Sequence, residues 1–101
     1  MGSDADVDAL LRELASMFVV YHQGCLIELQ TASEGGDYAS IERLAHTLKG
    51  SAATLGATVL SERCGALRKS AQTLNEDDVT RCIERVTSAF KQVANELSAY
   101  M

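Results

Sequence analysis

The chain has 101 residues, 47% of them hydrophobic, with nine basic and fourteen acidic side chains and a formal net charge of −5. That length is one ordinary domain with little room for a second, and the apolar fraction supplies a core and argues against disorder. The acidic balance argues against nonspecific nucleic-acid binding, which needs a basic footprint, and no run of about 18 apolar residues is present to span a membrane.

The five aromatic residues are Phe18, Tyr21, Tyr38, Phe90 and Tyr100, and Trp and Pro are absent. The core must therefore be aliphatic and alanine-rich, which suits close helix packing. Cys25, Cys64 and Cys82 form no CxxC pair. An odd, scattered set without a signal peptide fits a reduced cytoplasmic domain. All three fall on apolar stripes, where thiols are expected to be buried. Met1-Gly2-Ser3 reads as an expression-tag remnant, leaving 4–101 as the domain.

Four helical segments follow in chain order. The first runs from about Asp6 to Ser33, with Asp4 or Asp6 as N-cap and Leu11, Leu14, Phe18, Cys25, Leu29 and Ala32 as its core stripe. It is either one rod or broken near Met17, which would leave a short extra N-terminal helix. Gly35-Gly36 ends it. Val20 and Ile27 point away from the stripe with Met17 flanking. They form either an exposed apolar interaction patch or a surface covered by a bend or another helix. The second helix starts at the N-cap Asp37 and ends at Leu55. The third spans about Ala57 to Thr73, with Leu60, Cys64, Leu67 and Ala71 inward. Gly56 is the whole connection, so these two form an antiparallel hairpin. The fourth starts after Asn75, where Glu76, Asp77 and Asp78 suit the positive end of the helix dipole. Val79, Ile83, Val86, Phe90, Val93 and Leu97 are its stripe, running to about Tyr100. The pattern predicts an all-α, antiparallel up-down-up-down four-helix bundle, its first and last helices longer than the middle two by a turn or more.

The second helix carries the chemistry. With Ile41 at zero and about 100° per residue, Ile41, Leu44, Leu48, Ala52 and Leu55 fall within roughly 60° of one direction, while His46 falls at about 140°. His46 is thus predicted to face solvent, among Glu42, Lys49, Gly50 and Ala53. Between Arg43 and Lys69 lie five basic residues and one acid, Glu62. Such a patch favours a phosphoryl group and an acidic partner site. Gly50 costs the helix about 1 kcal/mol relative to Ala, and access to the imidazole would account for it, with close helix packing as the other explanation.

His46-Thr47-Leu48-Lys49-Gly50-Ser51, followed by Leu55-Gly56-Ala57, resembles the signature of the histidine-containing phosphotransfer (HPt) domain. Gly36-Asp37, Ala45 and the Leu60-Cys64-Leu67 pattern are similar to that family too, so the resemblance covers nearly the whole chain. It implies a phosphorelay role: a phosphoryl group taken from a receiver-domain aspartate, held on histidine and passed to another receiver. His46 is the residue carried over, with Nε2 as the attacking atom. A neutral imidazole is nucleophilic near neutral pH. Lys49 is positioned to pair with phosphoryl oxygens as a point charge, and Gly50 leaves the approach open. In the hairpin, Arg68 and Gln72 come opposite His46 and Lys49, off the apolar stripe of their own helix, where the family places polar side chains. Some members have Gln or Glu where this chain has Arg68, which is read as an electrostatic helper, with Gln72 second. Lys69 and Arg63 are read as solvated or at the partner rim.

The resemblance further implies a phosphoryl carrier rather than an enzyme on its own, with no cofactor in this domain, since the receiver supplies the aspartate and Mg²⁺. Receiver domains are the expected partners. No nucleic acid or membrane contact is expected, and a monomer leaves the histidine face free. A free-standing relay protein and the C-terminal part of a hybrid sensor kinase, itself membrane-bound, both fit a cytoplasmic domain. A helical docking module without phosphoryl transfer is the alternative. His22 and Cys25 could offer two metal ligands, but nothing else has ligand spacing. A satisfied, partly buried His22 is expected instead. No cysteine sits in an electropositive loop, as a nucleophilic thiol would.

Overall fold

The computed structural model describes residues 3–100, and their side chains from position 6 onward. Of the tag remnant expected at Met1-Gly2-Ser3, the first two residues lie outside the described residues and Ser3 opens the first helix. Helix α1 spans Ser3–Glu34, α2 Tyr38–Leu55, α3 Thr58–Thr73 and α4 Glu76–Leu97, and a 3₁₀ turn at Ser98–Tyr100 follows. Each helix packs on its two neighbours around a square: α1 on α2 and α4, α3 on α2 and α4, with the diagonal pairs apart. This is the expected four-helix bundle. Helix α1 is continuous, so neither the break near Met17 nor a separate N-terminal helix is present. Asp4 and Asp6 lie inside the helix rather than at its cap, because helical backbone already begins at Ser3.

The boundaries have local causes. The Asp37 carboxylate accepts hydrogen bonds from the Ser40 N–H at 3.2 Å and the Ser40 hydroxyl at 2.6 Å. Those bonds hold its carboxyl below the usual aspartate range. Asn75 caps α4 in the same way through the Asp78 N–H at 3.1 Å. Helix α2 stops at Gly56, whose φ of 83° is left-handed and costs glycine little. Helix α3 stops at Leu74, which takes the same conformation with φ 57° despite its side chain.

The core is aliphatic, as the composition required. Leu29, Ile41, Leu48, Leu60, Leu67, Val79, Ile83 and Val86 are essentially inaccessible, with Phe90 beside them. Ala45 and Ala52 are also fully buried and let the helices approach closely. Cys25 and Cys64 are buried, and burial pushes the Cys64 thiol up to about 12. Cys82 is only half-buried, because it flanks the Val79-Ile83-Val86 stripe rather than lying on it.

Two expectations for the core fail at one end of the bundle. Leu11 and Leu14 are 42% and 51% exposed, and Leu55 is 44% exposed. Helix α1 has 32 residues against 18 in α2, so it outruns the α2–α3 turn by several turns. Leu11, Leu14, Leu55, Leu97 and Tyr100 instead line an open apolar cleft beside Gly56. In the buried half of α1 the inward positions are Ala15, Val19, His22, Cys25, Leu29 and Ala32, with Phe18 partly buried. His22 replaces a hydrophobe in that row. It is 2% exposed, with its ring centroid 3.8 Å from Phe18 and the ring stacked on Phe90 at 6.1 Å.

His22 Nδ1 donates to the Phe18 carbonyl at 2.9 Å, while Nε2 is buried without a partner. Among the described residues no group of three or more His, Cys, Asp or Glu is placed to hold a metal. Burial pushes the His22 pKa down, so the folded protein keeps the ring neutral where the unfolded chain takes up a proton. Stability should therefore fall as pH drops below about 6.5, by at most about 1.4 kcal/mol per pH unit, until the folded-state pKa is reached. His22→Phe should remove that component, as read from urea midpoints at pH 7 and 5.5. An unchanged slope would assign it to other groups. Leu74 is 66% exposed and holds left-handed backbone, so Leu74→Gly should stabilise the fold by roughly 0.5–1 kcal/mol in the same titration.

Candidate functional site

The α2–α3 hairpin builds the site. Gly56 N–H bonds the Ala53 carbonyl at 3.0 Å and Ala57 N–H the Ala52 carbonyl at 2.9 Å, closing α2 and turning the chain back within two residues. The Ser61 hydroxyl then donates to the Lys49 carbonyl at 3.2 Å, tying the returning helix to the outgoing one. Leu44, Ala45, Leu48 and Ala52 face inward, which turns the opposite side of α2 to water. His46, Lys49, Gly50 and Ala53 are exposed there, and Glu42 is half-buried at the edge. The phase expected for His46 is the one observed.

The face is kept low. Thr47 Oγ1 donates back to the Arg43 carbonyl at 3.1 Å and Thr54 Oγ1 to the Gly50 carbonyl at 3.0 Å, so neither hydroxyl stands up beside the imidazole. A Cβ at Gly50 would meet nothing within 4 Å. Close helix packing therefore does not explain this glycine, and the surface beside His46 is open there.

Helix α3 supplies the second row. Gln72 Nε2 donates to Glu42 Oε1 at 2.9 Å, and Arg68 Nε lies 3.8 Å from the same oxygen. A Cβ at Gly65 would lie 3.6 Å from Lys49 Cδ, Cε and Nζ, so the lysine stem crosses α3 over that glycine. These contacts set the register: Gln72 is opposite Glu42, Gly65 is opposite Lys49, and Arg68, midway between them, comes opposite His46. Arg68 is thus at the level the sequence assigns it. Gln72 is not, because it reaches Glu42, one turn before His46, and not Lys49. Arg63 and Lys69 are exposed. Glu42, which helical spacing places on the His46 face, contacts Gln72 and Arg68, a pairing across the hairpin that no spacing within α2 encodes. Gly65 is not singled out by the helical pattern; its signal is its place eight residues after Ala57, as Lys49 lies eight before it.

The site is convex. The apolar cleft beside Gly56 and three smaller concavities among the described residues are lined without His46, Lys49 or Gly50. A small-molecule site would be concave. An exposed imidazole on a low ridge, with Lys49 one turn along the same helix, is instead reachable by a second protein surface. On α1, Met17, Val20 and Ile27 are 60%, 67% and 68% exposed, and no helix among the described residues covers them. No described helix is long and apolar enough to cross a membrane.

Comparisons with curated proteins and with solved structures each gave no significant match. A sequence model of the Hpt domain family matches residues 13–99, almost the whole chain. Domains of this family are helical bundles that carry phosphoryl groups in phosphorelays and interact with receiver domains. The match and the helical bundle agree, and the chain belongs to the Hpt domain family.

Proposed function

We propose that His46 is the phosphoryl-accepting residue of this domain, taking the group from a receiver-domain aspartate and passing it to another receiver. The observation that carries this reading is the bare, solvent-facing α2 surface on which His46 stands beside a glycine no packing requires. The Nε2 lone pair of the neutral imidazole attacks the phosphorus of the aspartyl phosphate. The P–O bond to the aspartate breaks and the free carboxylate leaves. Nδ1 keeps its proton, so the ring carries the positive charge and the phosphoryl group the negative. The reverse sequence, on a second receiver, returns the imidazole to its starting state. In-line transfer of this kind needs chiefly positioning and charge neutralisation.

Lys49 and Arg68 are the cations of this chain that serve the phosphoryl oxygens, and Gln72 is a neutral donor nearby. The donor set at His46 does not suit a divalent cation. Its only carboxylate, Glu42, is already engaged by α3 side chains, and its other polar groups are cationic or donors. Mg²⁺ is accordingly assigned to the receiver. The domain acts as a carrier and not as an enzyme by itself, in a cytoplasmic setting where receivers reside. It is proposed to work as a monomer, which keeps the ridge open. Free-standing and hybrid-kinase contexts are both compatible with this mechanism.

The test is transfer of labelled phosphate from a phosphorylated receiver in Mg²⁺. Acid-labile, base-stable label should appear on the wild-type domain and be absent from a folded His46→Gln variant. Label that persists in His46→Gln would move the acceptor elsewhere, and no transfer from several receivers would favour a docking module. Gly50→Gln should leave the bundle as stable or slightly more so, by up to about 1 kcal/mol, while slowing transfer at least about tenfold. Undiminished transfer would return Gly50 to a purely structural account.

A further inference from the structure

The least expected feature of the site is that an acid occupies its helpers. Glu42 Oε1 takes the Gln72 amide at 2.9 Å and has Arg68 Nε at 3.8 Å. The carboxylate only accepts, so the Gln72 amide must present its nitrogen. Arg68 Nε is buried and has no hydrogen-bond partner, so the guanidinium is drawn toward Glu42 without being satisfied by it. Both side chains of the pair are about 40% exposed, at 40% for Arg68 and 38% for Glu42. Such a contact is weak and easily exchanged.

Glu42 and His46 are four residues apart on one helix, with their side chains roughly 6 Å apart on the same face. By the register of the hairpin Arg68 comes opposite His46, so a guanidinium now drawn to the Glu42 carboxylate is at the right level of the bundle to serve a phosphoryl group on His46 instead. A phosphoryl group brings up to about two negative charges and three acceptor oxygens, against one charge on the carboxylate. It also offers the guanidinium a two-pronged partner. With Glu42 one turn away, the loaded state sets two anions side by side, and Arg68 is the cation able to serve either.

We propose that Glu42 is a positioning residue for phosphoryl transfer: it holds Arg68 and Gln72 in the unloaded domain and yields Arg68 to the phosphoryl group on His46. This rests on the assignment of His46 as acceptor. Its consequence is a brake on loading. Part of the attraction between Arg68 and the phosphoryl group is offset by the lost contact with Glu42, which keeps the phosphohistidine from becoming a sink and favours onward transfer.

The experiment loads the domain chemically, so it does not depend on any receiver. Phosphoramidate donates its phosphoryl group to His46 Nε2, with the N–P bond breaking and ammonia leaving. The ratio of loaded to free His46 is read by ³¹P NMR at fixed phosphoramidate and ammonia. Glu42→Gln keeps the side-chain length and a partner for Gln72 while removing the charge that holds Arg68. It should raise the loaded-to-free ratio about threefold, the scale of an exposed charge pair. In an Arg68→Met background the same substitution should lose most of that gain, and in wild type the Arg68 Nε–H resonance should move on loading. Equal effects of Glu42→Gln in the two backgrounds, or an Arg68 resonance indifferent to loading, would overturn the proposal. Helicity and unfolding midpoints of all variants separate these outcomes from loss of fold. Failure of chemical loading at His46 itself would count against the acceptor assignment, not against Glu42 alone.

Discussion

The turn at Gly56 is the constraint on which the rest of the site depends. A left-handed residue there closes α2 on its own carbonyls and sends the chain straight back, so that α3 has no freedom to slide. Once the turn is set, every pairing across the hairpin follows by counting: Gly65 against Lys49, Arg68 against His46, Gln72 against Glu42. Buried Ala45 and Ala52 on α2 let the backbones come close enough for these contacts. The chemistry of the domain is thus positioned by a glycine and two alanines that take no part in it.

How much of this was legible in the sequence varies with the kind of information needed. The phase of a helix is written in its own apolar spacing, so the outward direction of His46 and the inward direction of Leu60, Cys64, Leu67 and Ala71 could be read from one segment at a time. Ala45 falls inside the same arc as Ile41 and Leu48, yet an alanine contributes so little apolar surface that the stripe reads as complete without it. Axial overlap between helices is different information. Leu11, Leu14 and Leu55 point toward the bundle axis, but α1 outruns the α2–α3 turn and leaves them lining a cleft. No periodicity within α1 encodes where its neighbours stop. The N-cap at Asp37 was legible because the side-chain acceptor and the N–H it meets lie three residues apart. The exchange of Gln72 to Glu42 was not, because it depends on helix register to within one turn.

The two histidines show burial assigning roles to one residue type. His22 is enclosed by Phe18, Tyr21 and Phe90, held neutral by desolvation, and pinned through Nδ1 to a backbone carbonyl. Nothing can approach its Nε2. His46 is exposed on α2 and has no side-chain hydrogen-bond partner among the described residues. It stands on a face that gives nothing to the core, so changes there can alter reactivity with little cost to folding. The separation also runs the other way: His22 can be tuned for packing without touching the proposed acceptor.

A carrier must bind its cargo well enough to hold it and poorly enough to release it. A site built only of cations would meet the first requirement and fail the second, since a phosphoryl group neutralised by Lys49 and Arg68 together would lose its tendency to move on. In the role proposed for it, the carboxylate of Glu42 works against that outcome from within the same helix face. Its exposure keeps the effect small, because water screens each charge, and a small effect is what a reversible relay requires. Docking completes the balance. In the proposed transfer, a receiver laid on the ridge would exclude water from the three charged side chains around His46 at once, so the competition between Glu42 and the phosphoryl group for Arg68 would be sharpest there.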